Sequence, residues 1–227
     1  MKKITCLFLV GALLGASAFA QELKPTTPEA SDFLPLLKLA GYEAFTFDIS
    51  SLADETYYFT PEVREYVNGE LVSPASNRGM SLAIENRTML SMFTEEQQKA
   101  ITDAYDPEKG IYKLHTKMSV GVIPLSDSVK QLALFFDGMM RYAKRIYLKE
   151  ATAPGYEGRY LYSVKPVKVE ELRLGTFIPL ALVGASWFDE RVGTYRFCVE
   201  NVFPADLQSE SLKYVPHYFV MGVVVTK

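Results

Sequence analysis

Asn68-Gly69 sits inside the run "YYFTPEVREYVNGELV", between two segments rich in aromatic and β-branched residues. Asn-Gly suits a two-residue hairpin turn, in which both residues take positive φ, and is the strongest short hairpin signal in this chain. It commits this stretch to antiparallel β structure. Pro61 places its own strand at an edge or a bulge, because proline brings no N–H to a ladder. Upstream, "YEAFTFDI" alternates, with Glu43, Phe45, Phe47 and Ile49 opposite Ala44, Thr46 and Asp48. Further extended runs are "GIYKLHTKMSVGVIPL", "RYLYSVKPVKV", "GTYRFCVE" and "YFVMGVVVT".

The stretch around "FFDGMMRYAKRIYLK" fits two templates. As a helix it gathers Val129, Leu132, Phe136, Met140, Ala143 and Ile146 on one face, but it carries Gly138 in its middle, where Gly costs about 1 kcal/mol relative to Ala. As a hairpin it turns at Asp137-Gly138. That reading sets Met140, Tyr142, Ile146 and Leu148 on one face and Arg141, Arg145 and Lys149 on the other, with Lys144 breaking the pattern. The hairpin is preferred, since it continues the surrounding β texture, and its cations then form a solvated strand face that discourages edge pairing.

Two helices are expected. "SDFLPLLKLAG" gives a short one ending at Gly41, held by Pro35 to a turn or two. "TEEQQKAITDAYD" gives another, with Thr94 as cap and Gln97 three residues on. Residues 73–93 carry no clear pattern. The fold expected is mainly β: an antiparallel β-sandwich, jelly-roll or Greek-key like, with one or two short helices.

The first twenty residues read as a secretory leader. Lys2 and Lys3 precede the apolar "ITCLFLVGALLGASAFA", whose end places Ala18 and Ala20 in an A-x-A cleavage pattern. The run is short of the ~20 residues needed to span a bilayer. The expected organisation is a signal peptide over 1–20, a lead-in with a short helix over 21–40, and a single β-sandwich domain over 41–227. Such a chain is exported, to the periplasm or the cell surface. Its formal charge of −3 includes Lys2 and Lys3, so the mature chain is more acidic still. That balance argues against a nucleic-acid partner.

Chemistry-bearing motifs are sparse. Cys198 is the one cysteine beyond the leader, so no internal disulfide is available, and a buried or half-buried thiol is the simpler reading. A catalytic thiolate would need a base, and only His115 and His217 are on offer. Two histidines and one cysteine do not make a zinc set. Asp103, Asp106 and Glu108 lack EF-hand spacing. No phosphate loop or nucleophile elbow occurs. No cofactor, metal or catalytic residue is therefore assigned.

Weak ligand-binding candidates are Trp187 with Asp189 and Glu190 in "SWFDE", where a flat aromatic neighbours two acids, against the simpler reading of a core Trp before a turn. Tyr156, in the Gly-flanked loop of "PGYEGRYLY", is the other aromatic platform and is expected to be more exposed than Tyr160 or Tyr162. Ser128 in "DSV" matches a short O-glycosylation sequon, and Asn86 in "NRT" an N-glycosylation sequon. The expected role is a non-enzymatic binding or structural module for a glycan or an envelope protein. The alternative is a glycoside hydrolase using paired carboxylates.

"FTPEVREYVNGELV", "SWFDERVGTYRFC" and "YVPHYFVMGVVV" together resemble a family of uncharacterised exported proteins of gut bacteria. The resemblance covers nearly the whole mature chain. It implies the compartment and no catalytic motif.

Overall fold

The structure is a computed structural model, and it describes residues 27, 29–52, 55–72, 78–84, 94, 96–97, 105–106, 111–112, 116–169, 172–196 and 201–227. The leader, His115, Asn86 and Cys198 lie outside the described residues, as do Asp103 and Glu108. By its internal contacts the chain divides into two units, Met1–Pro35 and Leu36–Lys227. The second carries all the strands.

Helix α1 spans Ala30–Leu39, longer than the turn or two expected of a segment containing Pro35. Pro35 sits past the first turn, so it removes one i→i−4 bond without ending the helix. Gly41 closes it at φ 83°, where the backbone N–H of Tyr42 reaches the carbonyl of Leu37. At the second expected helix, Thr94 and Gln97 form the reciprocal capping pair: the Gln97 N–H donates to Thr94 Oγ1 and the Thr94 N–H to Gln97 Oε1. The expected helix nevertheless runs too far. Tyr105–Asp106 form a strand paired with Ile111–Tyr112, because aromatic and β-branched residues flank a turn-forming "PEKG".

In chain order, β1 is Glu43–Asp48, β2 Tyr57–Val67, β3 Glu70–Leu71 and β4 Leu82–Ile84. The small hairpin just described supplies β5 and β6. Then follow β7 (Lys117–Pro124), β8 (Val129–Phe136), β9 (Met139–Tyr147), β10 (Tyr162–Lys168) and β11 (Phe177–Ala185). The chain closes with β12 (Trp187–Asp189), β13 (Thr194–Arg196), β14 (Phe203–Pro204) and β15 (His217–Thr226).

One sheet runs β1-β7-β8-β9; the other runs β14-β10-β11-β15-β2-β3, with β4 also on β2. Pairing is antiparallel except between β10 and β14. The fold is therefore mainly β, as expected, and its sheets curl into a half-barrel.

Both Gly-containing turns form. Asn68 and Gly69 take φ 52° and 82°, and Asp137 and Gly138 take 47° and 80°, as a primed hairpin turn needs. The 126–150 segment is thus a hairpin. One detail differs from expectation. A bulge between Leu134 and Phe135 pairs Leu134 with Tyr142 and Phe135 with Met140. The extra residue, Arg141, flips the parity on its N-terminal side. Met140 is therefore exposed, while Tyr142, Lys144, Ile146 and Leu148 keep the inner face. Pro61 lies in a strand with neighbours on both sides, β15 on one and β3 and β4 on the other, rather than in an edge strand or at a bulge. Its carbonyl accepts from the N–H of Gly79, so its missing donor lies on the sparsely paired side of β2, away from β15.

One apolar interior joins the two sheets. Val120, Leu132, Leu134 and Phe136 of the first meet Phe59, Val63, Leu180 and Met221 of the second. Phe59 packs edge-on to Phe136 at 5.1 Å between ring centres. The second sheet is buried on its other face too. There Leu182, Val220 and Val167 lie beneath Phe203, Leu212 and Val215, the last two in and after a 3-10 turn at Ser211–Tyr214. Burial on both faces explains why β11 and β15 read as nearly continuous apolar runs.

Candidate functional site

At one end of the larger sheet, β2 and β11 finish and β10 and β15 begin. Tyr162 of β10 pairs with Ala185 of β11. The β11–β15 register, Val183 to Phe219 and Gly184 to Tyr218, brings Ala185 level with His217, which in turn pairs with Val67 of β2. Ala185 carries only a methyl group, so the Tyr162 ring crosses above it and its hydroxyl lies 2.5 Å from His217 Nδ1. On the opposite side, His217 Nε2 lies 3.0 Å from Glu65 Oε1. The Tyr162 hydroxyl also accepts the backbone N–H of Lys149 at 3.0 Å.

These contacts fix the direction of the chain. A carboxylate only accepts, so neutral His217 carries its proton on Nε2 and its Nδ1 accepts from Tyr162. The sequence of donors runs from the Lys149 N–H through the Tyr162 hydroxyl and His217 to Glu65. His217 is 2% exposed. Burial pulls its pKa below the ordinary value, the Glu65 hydrogen bond opposing and the Lys149 charge adding to the fall. Burial pushes the Tyr162 hydroxyl up to about 12. The proton therefore rests on tyrosine, and the imidazole stays neutral at pH 7.

This chain forms part of a pocket of about 410 Å³. Its aromatic wall includes Trp187, stacked on Tyr214 with ring centres 6.1 Å apart and planes 26° apart, together with Phe188 and Tyr195. Lys149, Glu150 and Asn68 supply polar rim groups. Ser186 lines the same pocket and is 5% exposed, and its hydroxyl has no hydrogen-bond partner among the described residues. A buried hydroxyl without a partner is costly, so it marks a place where a ligand group or a water completes the site.

The sequence candidates separate. Trp187 is half-buried in strand β12 and lines the pocket, so it is neither a wholly buried core residue nor a free platform. Asp189 is buried and held by two guanidinium groups, Arg196 Nε at 2.7 Å and Arg191 Nε at 3.3 Å. The Arg191 hydrogen bond foremost, outweighing desolvation, keeps its carboxyl below the usual range. Glu190 is exposed in the turn after β12.

Tyr156 is half-buried rather than exposed. It packs edge-on to Tyr195 at 4.7 Å and Phe188 at 6.4 Å, because its loop is tied down by the Ala153 N–H donating to the Tyr195 hydroxyl. Ser128 ends the loop between β7 and β8 and is half-buried, its carbonyl accepting from the N–H of Leu148. Among the described residues no group of three His, Cys, Asp or Glu is placed to hold a metal ion. No helix there is long and apolar enough to cross a membrane.

Sequence reading missed Glu65, His217 and Tyr162 as a unit. A signal existed. Glu65 alternates with Val63 and Val67, and His217 with Phe219 and Met221, so each is a polar residue on the apolar face of its strand.

The chain is thus a mainly β domain with an aromatic-walled pocket at one end of its larger sheet. The chain belongs to the family described as domain of unknown function DUF5041, which matches residues 12–227. No curated protein and no solved structure matches it.

Proposed function

We propose that the chain is an exported binding module, periplasmic or at the cell surface, whose pocket takes a sugar ring. The observation that carries this reading is the pairing of an aromatic wall at Trp187 and Tyr214 with the unpartnered, buried Ser186 hydroxyl. A sugar has apolar C–H faces that rest on aromatic rings and hydroxyls that complete buried polar groups. Lys149, Glu150 and Asn68 add both donors and acceptors at the rim. Export rests on the leader pattern, and the two sheets across one interior support a curled sandwich as the architecture. Ser128 is proposed as an O-glycosylation site on its sequon and loop position.

A hydrolase built on Asp189 and Glu190 finds less support. Asp189 is clamped by two arginines and stays ionised, which unsuits it as a general acid.

A glycan array followed by calorimetric titration tests the reading. Wild-type protein should bind at least one saccharide class, and Trp187→Ala should abolish it. Ser186→Ala should weaken binding several-fold while leaving the free protein as stable as before, since no hydrogen bond is lost in its absence of ligand. Release of reducing ends by purified protein would replace the binding reading with the hydrolase.

A further inference from the structure

Two rim charges differ in their freedom. Glu150 Oε1 is engaged by the backbone N–H of Gly158. Lys149 has no salt bridge among the described residues, and its charge acts on His217. Lys149, whose charge acts on His217, therefore lines the same pocket as that buried histidine and Tyr162. Among the described residues, the groups that act on His217 are Glu65, Tyr162 and Lys149, and Glu150 lines the same pocket.

We propose that this pocket takes a carboxylate-bearing sugar together with a proton, the proton going to His217 and the carboxylate to Lys149 and the Tyr162 hydroxyl. The inference rests on the sugar-binding reading above. Neutral His217 accepts the Tyr162 proton at Nδ1, so this proton is unavailable to a ligand. Protonated His217 donates from both nitrogens, Nε2 to Glu65 and Nδ1 to Tyr162. The Tyr162 oxygen then accepts from His217 and from the Lys149 N–H at once, and both its lone pairs are used. Its own hydrogen is then released from Nδ1 and can turn to an acceptor in the pocket that Tyr162 lines.

Without ligand this state places an added charge in a buried position, and burial disfavours it. A ligand carboxylate supplies the opposite charge and an acceptor for the turned hydroxyl. Ligand binding and proton uptake then favour one another, reciprocally.

Calorimetric titration with D-glucuronate and D-glucose between pH 5 and pH 8 tests this. Glucuronate binding by wild-type protein should tighten as the pH falls below about 6.5, by up to about tenfold per unit for one linked proton. Glucose binding should change little. His217→Gln should flatten the glucuronate profile. Lys149→Gln, at an exposed position, should weaken glucuronate several-fold more than it weakens glucose. A flat glucuronate profile in the wild type, or a steep one in His217→Gln, overturns the proposal. So does binding of glucose with rejection of glucuronate at every pH, which leaves the sugar pocket standing. Binding of neither sugar by a protein that binds another saccharide on the array overturns this proposal alone, and binding of no saccharide overturns both readings.

Discussion

Two carboxylates three residues apart on β2 meet different partners. Glu62 is bound by two guanidinium groups, Arg64 Nε and Arg78 Nε, each at 2.6 Å. Glu65 faces one neutral imidazole, and that imidazole faces a tyrosine. Both clusters join distant parts of the chain, Arg78 in one case and β15 with β10 in the other. The first holds fixed charges. Desolvation raises the Glu62 pKa, but the Arg64 and Arg78 hydrogen bonds outweigh it and hold the carboxyl below its ordinary value. Nothing in that cluster changes protonation near neutral pH. The second contains His217, whose pKa burial pulls below its ordinary 6.5. A cluster of fixed charges serves as a fastener, whereas a carboxylate shared with a neutral imidazole beside a pocket is open to control by protons and ligands.

The largest expected effect lies in the fastener. Glu62→Ala leaves Arg64 and Arg78 unpaired, and Arg64 is largely covered against the Phe177 ring. It should cost about 2 kcal/mol, below the full cost for a buried pair because Arg78 is half-exposed. Urea denaturation measures it. A loss no larger than that of Tyr162→Phe would erase the distinction between the clusters.

Tyr162→Phe is the next in size. It leaves the Lys149 N–H and His217 Nδ1 without their partner, at a cost of about 1 kcal/mol. Hydrogen exchange at Lys149 should accelerate, which a simple loss of packing elsewhere would not produce.

The pH profile sharpens the comparison further. His217 has a folded pKa below its ordinary 6.5, so the folded state binds fewer protons than the unfolded chain beneath that value. Ligand-free stability should therefore fall as the pH drops below 6.5 and level off beneath the folded pKa. His217→Gln should remove this slope. Glu62 works in the other window: its contribution is present above its ordinary 4.5 and is lost as the pH falls through the depressed folded value. Melting curves from pH 8 down to about pH 2 separate the two phases, and a single acid transition in both wild type and His217→Gln would break the assignment.

The smallest effect is expected at Arg191→Ala. Its side chain is 88% exposed, and Asp189 keeps Arg196 at 2.7 Å. The melting temperature should stay within measurement error.

Much of the fold was readable from local pattern. Asn68-Gly69 and Asp137-Gly138 named their hairpins because a two-residue turn constrains φ at both positions, whatever the rest of the chain does. The two faces of β1 followed from alternation. The Arg141 bulge did not, because an inserted residue depends on what lies across the strand pair, and Met140 was misplaced as a result. The candidate site was half-read. Trp187 stood out as the lone tryptophan, and its neighbours Asp189 and Glu190 drew attention by adjacency alone.

By itself, then, the sequence determined the mainly β class, both tight turns and the polar residues lying on apolar strand faces, since each depends on covalent geometry or a two-residue period. The tertiary structure alone decided that Tyr162, Ala185, His217 and Val67 share one row across four strands. It also decided that Asp189 is spent on two arginines while Glu65 is left to a histidine. These contacts span up to 152 positions of chain between Glu65 and His217, and register between strands that far apart is set by packing across the whole sheet, not by any local signal.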